Sequence, residues 1–211
     1  MNKSTGNMYD FITHTWNVIK GECYHDCSYC YMKRWGKLNP VRFDEKELKT
    51  DLGSGNFIFV GSSCDMFAEN IPHKWIDKVI NHCDKFDNKY FFQTKNTERL
   101  YDFDLEKHSL CTTIESNRWY PEIMCKSPIP LSRMNSMSFY QFLTIEPILD
   151  FDLLKFIEMI KKMHPKQINI GADSGGNKLP EPPKEKILKL INELEKFTIV
   201  KQKSNLKRLL K

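Results

Sequence analysis

Thr15-Trp16-Asn17-Val18-Ile19-Lys20-Gly21-Glu22-Cys23-Tyr24-His25-Asp26-Cys27-Ser28-Tyr29-Cys30 begins as a β-rich run and ends on a loop with three cysteines in eight residues. Thr15–Ile19 has the composition of a strand. The cysteines that follow have C-x3-C-x2-C spacing. Three thiolates on one short loop can close round a soft metal centre. They are one short of the usual four ligands of a [4Fe–4S] cube, so one iron would stay open to a small molecule bearing an amine and a carboxylate. A structural zinc site would instead need a fourth protein ligand, and His25 lies inside the loop for that purpose.

Downstream, short apolar runs alternate with helical patterns. Strands are expected at Asn56–Gly61, Lys89–Thr94, Leu110–Ile114, Gln141–Ile145, Gln167–Ile170 and Phe197–Lys201. The run Phe57-Ile58-Phe59-Val60 is continuously apolar, as expected when helices cover both faces. Helical stripes at 3-to-4 spacing are expected over His73–Phe86, Phe151–Met163 and Pro183–Lys196. A shorter helix is expected at Asp44–Leu52 and a last helical turn at Ser204–Lys211. Trp119–Ser138 has three prolines and no period, and reads as an irregular loop with one short helix. Six or seven β-α repeats are too few for a closed eight-fold barrel of about 250 residues. The expected fold is therefore α/β, a partial (β/α)6-type open barrel of mostly parallel strands, with its chemistry at the carboxyl ends of the strands.

The chain has 211 residues, net charge +5 and seven cysteines. Its length suits a single domain over 1–211, with a core of about 12–203 and a short basic tail at 204–211. No apolar run is long enough to cross a membrane, and Met1–Asp10 lacks a signal-peptide apolar stretch, so a cytoplasmic location without a membrane partner is expected. In that reducing compartment a disulfide framework is not expected. Cys83 falls on a helix stripe and Cys111 at the start of a strand, so they read as buried hydrophobes rather than ligands of a second cluster. Cys64 lies near the cysteine loop, and Cys125 is isolated.

The C-x3-C-x2-C loop after the first strand, with an aromatic Tyr29 before the third cysteine, resembles the radical S-adenosylmethionine (SAM) superfamily. Thr15-Trp16-Asn17, Gly21-Glu22-Cys23, Val60-Gly61-Ser62-Ser63-Cys64-Asp65-Met66-Phe67, Ile145-Glu146-Pro147, Gly171-Ala172-Asp173-Ser174-Gly175 and Val200-Lys201-Gln202 resemble a phage- and bacteria-associated, Gp37/Gp68-like branch. The resemblance implies a [4Fe–4S] cluster on Cys23, Cys27 and Cys30. It implies SAM as cofactor, chelated to the open iron and cleaved to methionine and a 5′-deoxyadenosyl radical that takes hydrogen from a substrate. It also implies an external flavodoxin- or ferredoxin-like electron donor.

The strand ends supply polar groups for SAM. Gly61-Ser62-Ser63 stands where many relatives have a Gly-Gly-Glu-like segment for the SAM amine; with the Glu absent, Ser62, Ser63 or Asp65 would substitute. Lys95 is similar to the lysine with which spore photoproduct lyase binds the SAM carboxylate. Alternation puts Thr113 and Glu115 on one face and Thr144 and Glu146 on another. Glu115 is expected at the ribose hydroxyls and Glu146 at the adenosine or the substrate, with Arg118 as a second carboxylate partner and Tyr29 close to the cluster. Asp65, Asp173 and Lys201 are candidate substrate contacts. Each of these groups also has a plainer reading as a turn, a salt bridge or solvated surface.

The substrate is the thinnest reading. The phage association and the likeness to spore photoproduct lyase suggest a nucleotide or nucleic acid, which Trp35, Trp119, Tyr120, Phe139, Tyr140 and the basic residues of 201–211 would suit by stacking and charge. A small metabolite or peptide stays open. The competing classes are a non-catalytic zinc module closed by His25 and a simple iron–sulfur carrier. The loop Arg34–Phe43 is a candidate cover for the site.

Overall fold

The computed structural model describes residues 1–135 and 141–211; Phe139 and Tyr140 lie outside the described residues. Its strands are β1 (Asn2–Lys3), β2 (His14–Trp16), β3 (Ile19–Lys20), β4 (Arg42–Phe43), β5 (Phe57–Val60), β6 (Lys89–Thr94), β7 (Ser109–Thr113), β8 (Phe142–Ile145), β9 (Gln167–Ile170) and β10 (Ile199–Gln202). Its helices are α1 (His73–Cys83), α2 (Pro121–Met124), α3 (Pro130–Asn135), α4 (Leu153–Met163) and α5 (Lys184–Leu194). The main sheet runs β1-β2-β5-β6-β7-β8-β9-β10. Pairing is parallel from β2 through β10, and β1 alone is antiparallel. β1 and β10 stand at opposite ends of this order, so the barrel is partial and open.

Period two along the strands builds two layers. Ile58, Val60, Tyr90, Phe92 and Leu110 face outward and pack with Ile76, Val79, Ile80 and Cys83 of α1. Leu143, Ile145, Ile168 and Ile170 pack with Phe156, Ile157 and Ile160 of α4 and with Ile187, Leu190, Ile191 and Leu194 of α5. The inner face carries Phe59, Phe91 and Cys111, and the N-terminal residues Tyr9 and Ile12 lie against it. Tyr9 and Phe11 stack on each other at 5.5 Å, and Phe11 reaches Phe57 and Phe142. The Tyr9 hydroxyl donates to Gln93 Oε1 at 2.8 Å and lies 2.7 Å from Thr144 Oγ1. The polar N-terminus thus supplies an inner-layer plug.

Several boundaries differ from expectation. Thr15–Ile19 is not one strand: β2 stops at Trp16, and Ile19–Lys20 leaves the sheet to pair with β4 in a separate ribbon. The break is at Asn17, whose side chain is drawn to Ser62 and Ser63. Asp44–Leu52 shrinks to a 3-10 helix at Glu45–Lys49, where Asp44 accepts the Lys46 amide. Only a 3-10 turn, Glu98–Asp102, joins β6 to β7. Trp119–Ser138 holds α2 and α3 rather than one helix, each starting at a proline, where the missing N–H costs nothing. Ser204–Leu209 is 3-10, and Leu206 is fully buried, so this part of the tail belongs to the core. Among the described residues no helix is long and apolar enough to cross a membrane.

Candidate functional site

The cysteine loop is shaped by its own backbone and held from one flank. Asp26 N–H donates to Cys23 O and Cys30 N–H to Cys27 O, with Asp26 in the left-handed region. Ser28 N–H donates to Ile123 O at 2.9 Å and Lys126 N–H to His25 O at 3.0 Å. The α2 segment is therefore the loop's scaffold. All seven cysteines are free. A hydrogen bond with Cys64 draws the Cys23 thiol down to about 6 and pushes Cys64 up. Burial pushes Cys27 up to about 11 and raises Cys30.

Among the described residues no three His, Cys, Asp or Glu side chains converge as ligands of a single ion must. A cube is wider than an ion, and thiolates at three of its corners stand farther apart. His25 is 3% exposed; its Nε2 meets Asp65 Oδ2 at 2.8 Å, while Nδ1 is buried without a partner. Buried polar atoms are normally paired. Within this eight-residue loop, three free thiols and one buried, unpartnered imidazole nitrogen are donors of the kind an inorganic group takes.

Behind the loop lies a buried charge group from four parts of the chain. Tyr29 OH donates to Glu115 Oε1. Arg133 Nη1 donates to Glu115 Oε2 at 2.7 Å, and Lys95 Nζ stands 3.7 Å from Oε1 and 5.5 Å from the Tyr29 ring centroid. Glu115 and Arg133 are wholly buried. Four N–H groups of the Arg133 guanidinium donate, to Glu115, Pro128 O, Thr113 O and Ser127 Oγ. Burial alone would raise the Glu115 carboxyl; Arg133 and Lys95 outweigh it and hold it below the usual range. Burial alone would lower Lys95; Cys27 and Glu115 outweigh it and keep the ammonium charged.

Asp65 joins the loop to the strand tips. It accepts from His25, Thr94 Oγ1, the Lys95 amide and the Phe67 amide. Burial works against this carboxylate, and the His25 and Lys95 bonds hold it ionised below its ordinary value. Its lone pairs are committed, so it positions rather than contacts a ligand. Asn17 orders the next tip: its Oδ1 accepts Ser63 N–H at 3.0 Å and its Nδ2 donates to Ser62 Oγ at 3.2 Å. Gly61, at φ 77°, makes that turn.

Tyr29, Lys95 and Glu115 are thus brought together, with Gly61, Ser62 and Ser63 on the adjoining tip. Thr113 lies below them, accepting from Gln93 Nε2 at 2.8 Å. Glu146 sits elsewhere on the rim, bound by Lys203 at 2.6 Å and by Asn7 and Asn205 at 2.7 Å. A Cβ at Gly171 would come within 2.6 Å of Glu146 Oε1, so a side chain there would displace Glu146 from these partners. Arg118 is not brought to the group: Asp150 and Asp152 take its guanidinium. Asp173 spends its carboxylate on Gly175 and Asn177 in its own turn. Lys201 is exposed on β10.

Arg133 has no individual signal in the sequence; Asn17, His25 and Asp65 are singled out there, but the contacts they make are not. Arg133 lies in the aperiodic segment, and Asn17 inside an apparent strand. A cleft of about 780 Å³, lined by Tyr24, His25, Glu69, Arg99, Asp102 and Lys126, opens on one flank of the loop. A smaller one of about 330 Å³, lined by Asn17, Met32, Arg42 and Ser63, opens on the other.

No protein-family model matches the chain, and no curated protein matches it. Among solved structures, a mutant spore photoproduct lyase with bound AdoMet and dinucleoside spore photoproduct is similar at a TM-score of 0.67 and 12% identity, over 93% of this chain and 78% of that one. A second mutant of that lyase is similar at 0.64 and 11% identity, over the same shares. At these identities the likeness is one of fold: the chain is a partial, mostly parallel barrel of the kind those structures show.

Proposed function

We propose that this chain is a radical SAM enzyme in which Cys23, Cys27 and Cys30 hold a [4Fe–4S] cluster. One observation carries the reading. The C-x3-C-x2-C loop is tied, through Tyr29, to a buried Glu115–Lys95–Arg133 group at the ends of the following strands. The AdoMet bound in a solved structure of like fold supports it. When bound, the cluster supplies the electron that cleaves SAM to methionine and the 5′-deoxyadenosyl radical that abstracts hydrogen from substrate.

The chain's own residues bind and orient. Lys95, charged and 16% exposed at its side chain, receives the SAM carboxylate. Ser62 and Ser63, held by Asn17, take the amine. Glu115 fixes Tyr29 against the loop and is screened by Arg133, so it orders the site more than it touches the ribose. Thr113 and Gly61 shape the floor, and Glu146 faces adenosine or substrate from the rim. The charges of Arg118 and Asp173 are spent on their own neighbourhoods, and we leave both out of the contacts.

A nucleotide or nucleic acid is our substrate reading, resting on the resemblance of the sequence to a phage-associated branch and on the dinucleoside in the solved structure of like fold; exposed Lys201 is its candidate contact. We read 1–211 as one such domain, acting in a reducing cytoplasm where its free thiols persist and an external one-electron donor serves it.

The test is anaerobic. The protein is reconstituted with iron and sulfide, reduced, given SAM and assayed for 5′-deoxyadenosine by mass spectrometry. Wild type forms it and Cys27→Ala does not. A four-iron protein that neither binds nor cleaves SAM would return the chain to the carrier class. One bound zinc, released by His25→Ala, would make it a metal-binding module.

A further inference from the structure

On the far side of Cys30 the chain runs through a surface strap that neither the fold nor the site explains. From Cys27 to Phe43 there is no acidic residue, and the strap carries Lys33, Arg34, Lys37 and Arg42. Lys33 is paired with Asp26 at 2.7 Å; Arg34, Lys37 and Arg42 are exposed and have no ion pair among the described residues. Trp35 is 70% exposed and Tyr31 44% exposed. The Arg34 guanidinium lies 5.4 Å from both ring centroids, making one flat cationic–aromatic face.

The face is anchored, not trailing. Tyr31–Trp35 is a 3-10 helix, and the Tyr31 hydroxyl donates to Ser62 O at 2.8 Å. Glu22 N–H donates to Asn39 O at 2.9 Å, and Gly21 lies so close to Asn39 and Pro40 that a Cβ would be 2.6 Å from a carbonyl oxygen. An indole held open to water beside arginine gains nothing from folding, and aromatic residues and arginine are what interface centres concentrate.

We propose that the strap Tyr31–Arg42 is the docking surface for an acidic electron-carrier protein. The inference rests on the reading above, in which each SAM cleavage consumes one electron. The carrier's reduced centre gives up that electron, the cluster takes it, and no proton or atom is exchanged at docking. Charge complementarity and position favour such a partner: the strap is basic, and it begins at the residue after Cys30, about 3.8 Å along the chain from a proposed cluster ligand.

The probe is a reduced flavodoxin, with dithionite as the small reductant that needs no docking. The reconstituted holoprotein is mixed anaerobically with each, and cluster bleaching is followed at low and high salt. Arg34→Glu/Lys37→Glu and, separately, Trp35→Ala are expected to slow reduction by flavodoxin about tenfold and to leave the dithionite rate unchanged; added salt slows wild type towards the charge-reversed variant. Equal flavodoxin rates in wild type and variants would overturn the proposal, as would loss of oligonucleotide binding without any change in flavodoxin rate. Failure of the underlying reading is distinct: wild type would then make no 5′-deoxyadenosine even with dithionite, and both proposals would fall.

Discussion

Arg133 and Glu115 form the most consequential pair of residues, because neither has water to fall back on. Breaking a buried pair by removing one partner strands a charge and costs about 3–5 kcal/mol, whereas removing both costs far less. Arg133→Met is therefore expected to lower the urea midpoint of unfolding sharply, and Arg133→Met/Glu115→Gln to recover most of the loss. The same pair sets an acid limb. The Glu115 carboxyl is held below its ordinary 4.5 by Arg133 and Lys95 against the opposing effect of burial. Its stabilising contribution is thus complete above about pH 4.5 and is lost as pH falls through the lowered folded value. Urea midpoints from pH 6 to pH 3 should fall more steeply in wild type than in the double variant. Lys95 and Arg118 separate on SAM affinity. On the proposed reading, Lys95→Met removes the charged partner of the SAM carboxylate and should raise the SAM Kd about tenfold or more. Arg118→Ala removes only the exposed pairs with Asp150 and Asp152 and should leave the Kd unchanged; equal losses would return Arg118 to the site.

Among the elements, those built on periodicity were legible and those built on single contacts were not. Lys89–Thr94 and Gln167–Ile170 stand where alternation and apolar runs put them, and α1, α4 and α5 follow their stripes to within a turn. The ribbon of β3 and β4 was invisible, because Asn17 ends β2 through a side-chain contact with a loop over forty residues away. The α2–α3 segment was unreadable for the same reason: its value lies in the Ile123 and Lys126 backbone bonds to the cysteine loop and in the reach of Arg133. The N-terminal plug is not legible because Met8-Tyr9-Asp10-Phe11-Ile12 is too short to show a period. Tyr9 tests that plug by degrees. Tyr9→Phe removes only the hydroxyl shared with Gln93 and Thr144 and should cost about 1–2 kcal/mol. Tyr9→Ala also removes the ring packed on Phe59 and Phe91 and should cost about 3–5 kcal/mol. Equal midpoints for the two variants would mean that the ring is not part of the core.

At the scale of the whole molecule, the cysteine loop sits on the barrel rather than within its cores. The layer under α1 and the layer under α4 and α5 are made of sheet and helix side chains, and only Cys23 and Tyr24 of the loop touch either one. The loop's own ties, to α2 through Ser28 and His25 and to the strand tips through Asp65 and Tyr29, are protein–protein bonds that need no metal. Small zinc folds have no such cores and unfold when the metal is withdrawn, since binding energy and folding energy are there the same quantity. Here the two are separable. Iron-free protein is expected to keep the circular dichroism of the reconstituted form and to unfold cooperatively in urea. On the proposed reading, reconstitution should raise the midpoint by linkage, because a cluster held by the folded loop has no site in the unfolded chain. Cys27→Ala should unfold cooperatively, like iron-free wild type, and show no rise on reconstitution. A broad, non-cooperative transition in the iron-free protein would instead mean that the thiols and their metal hold the barrel together.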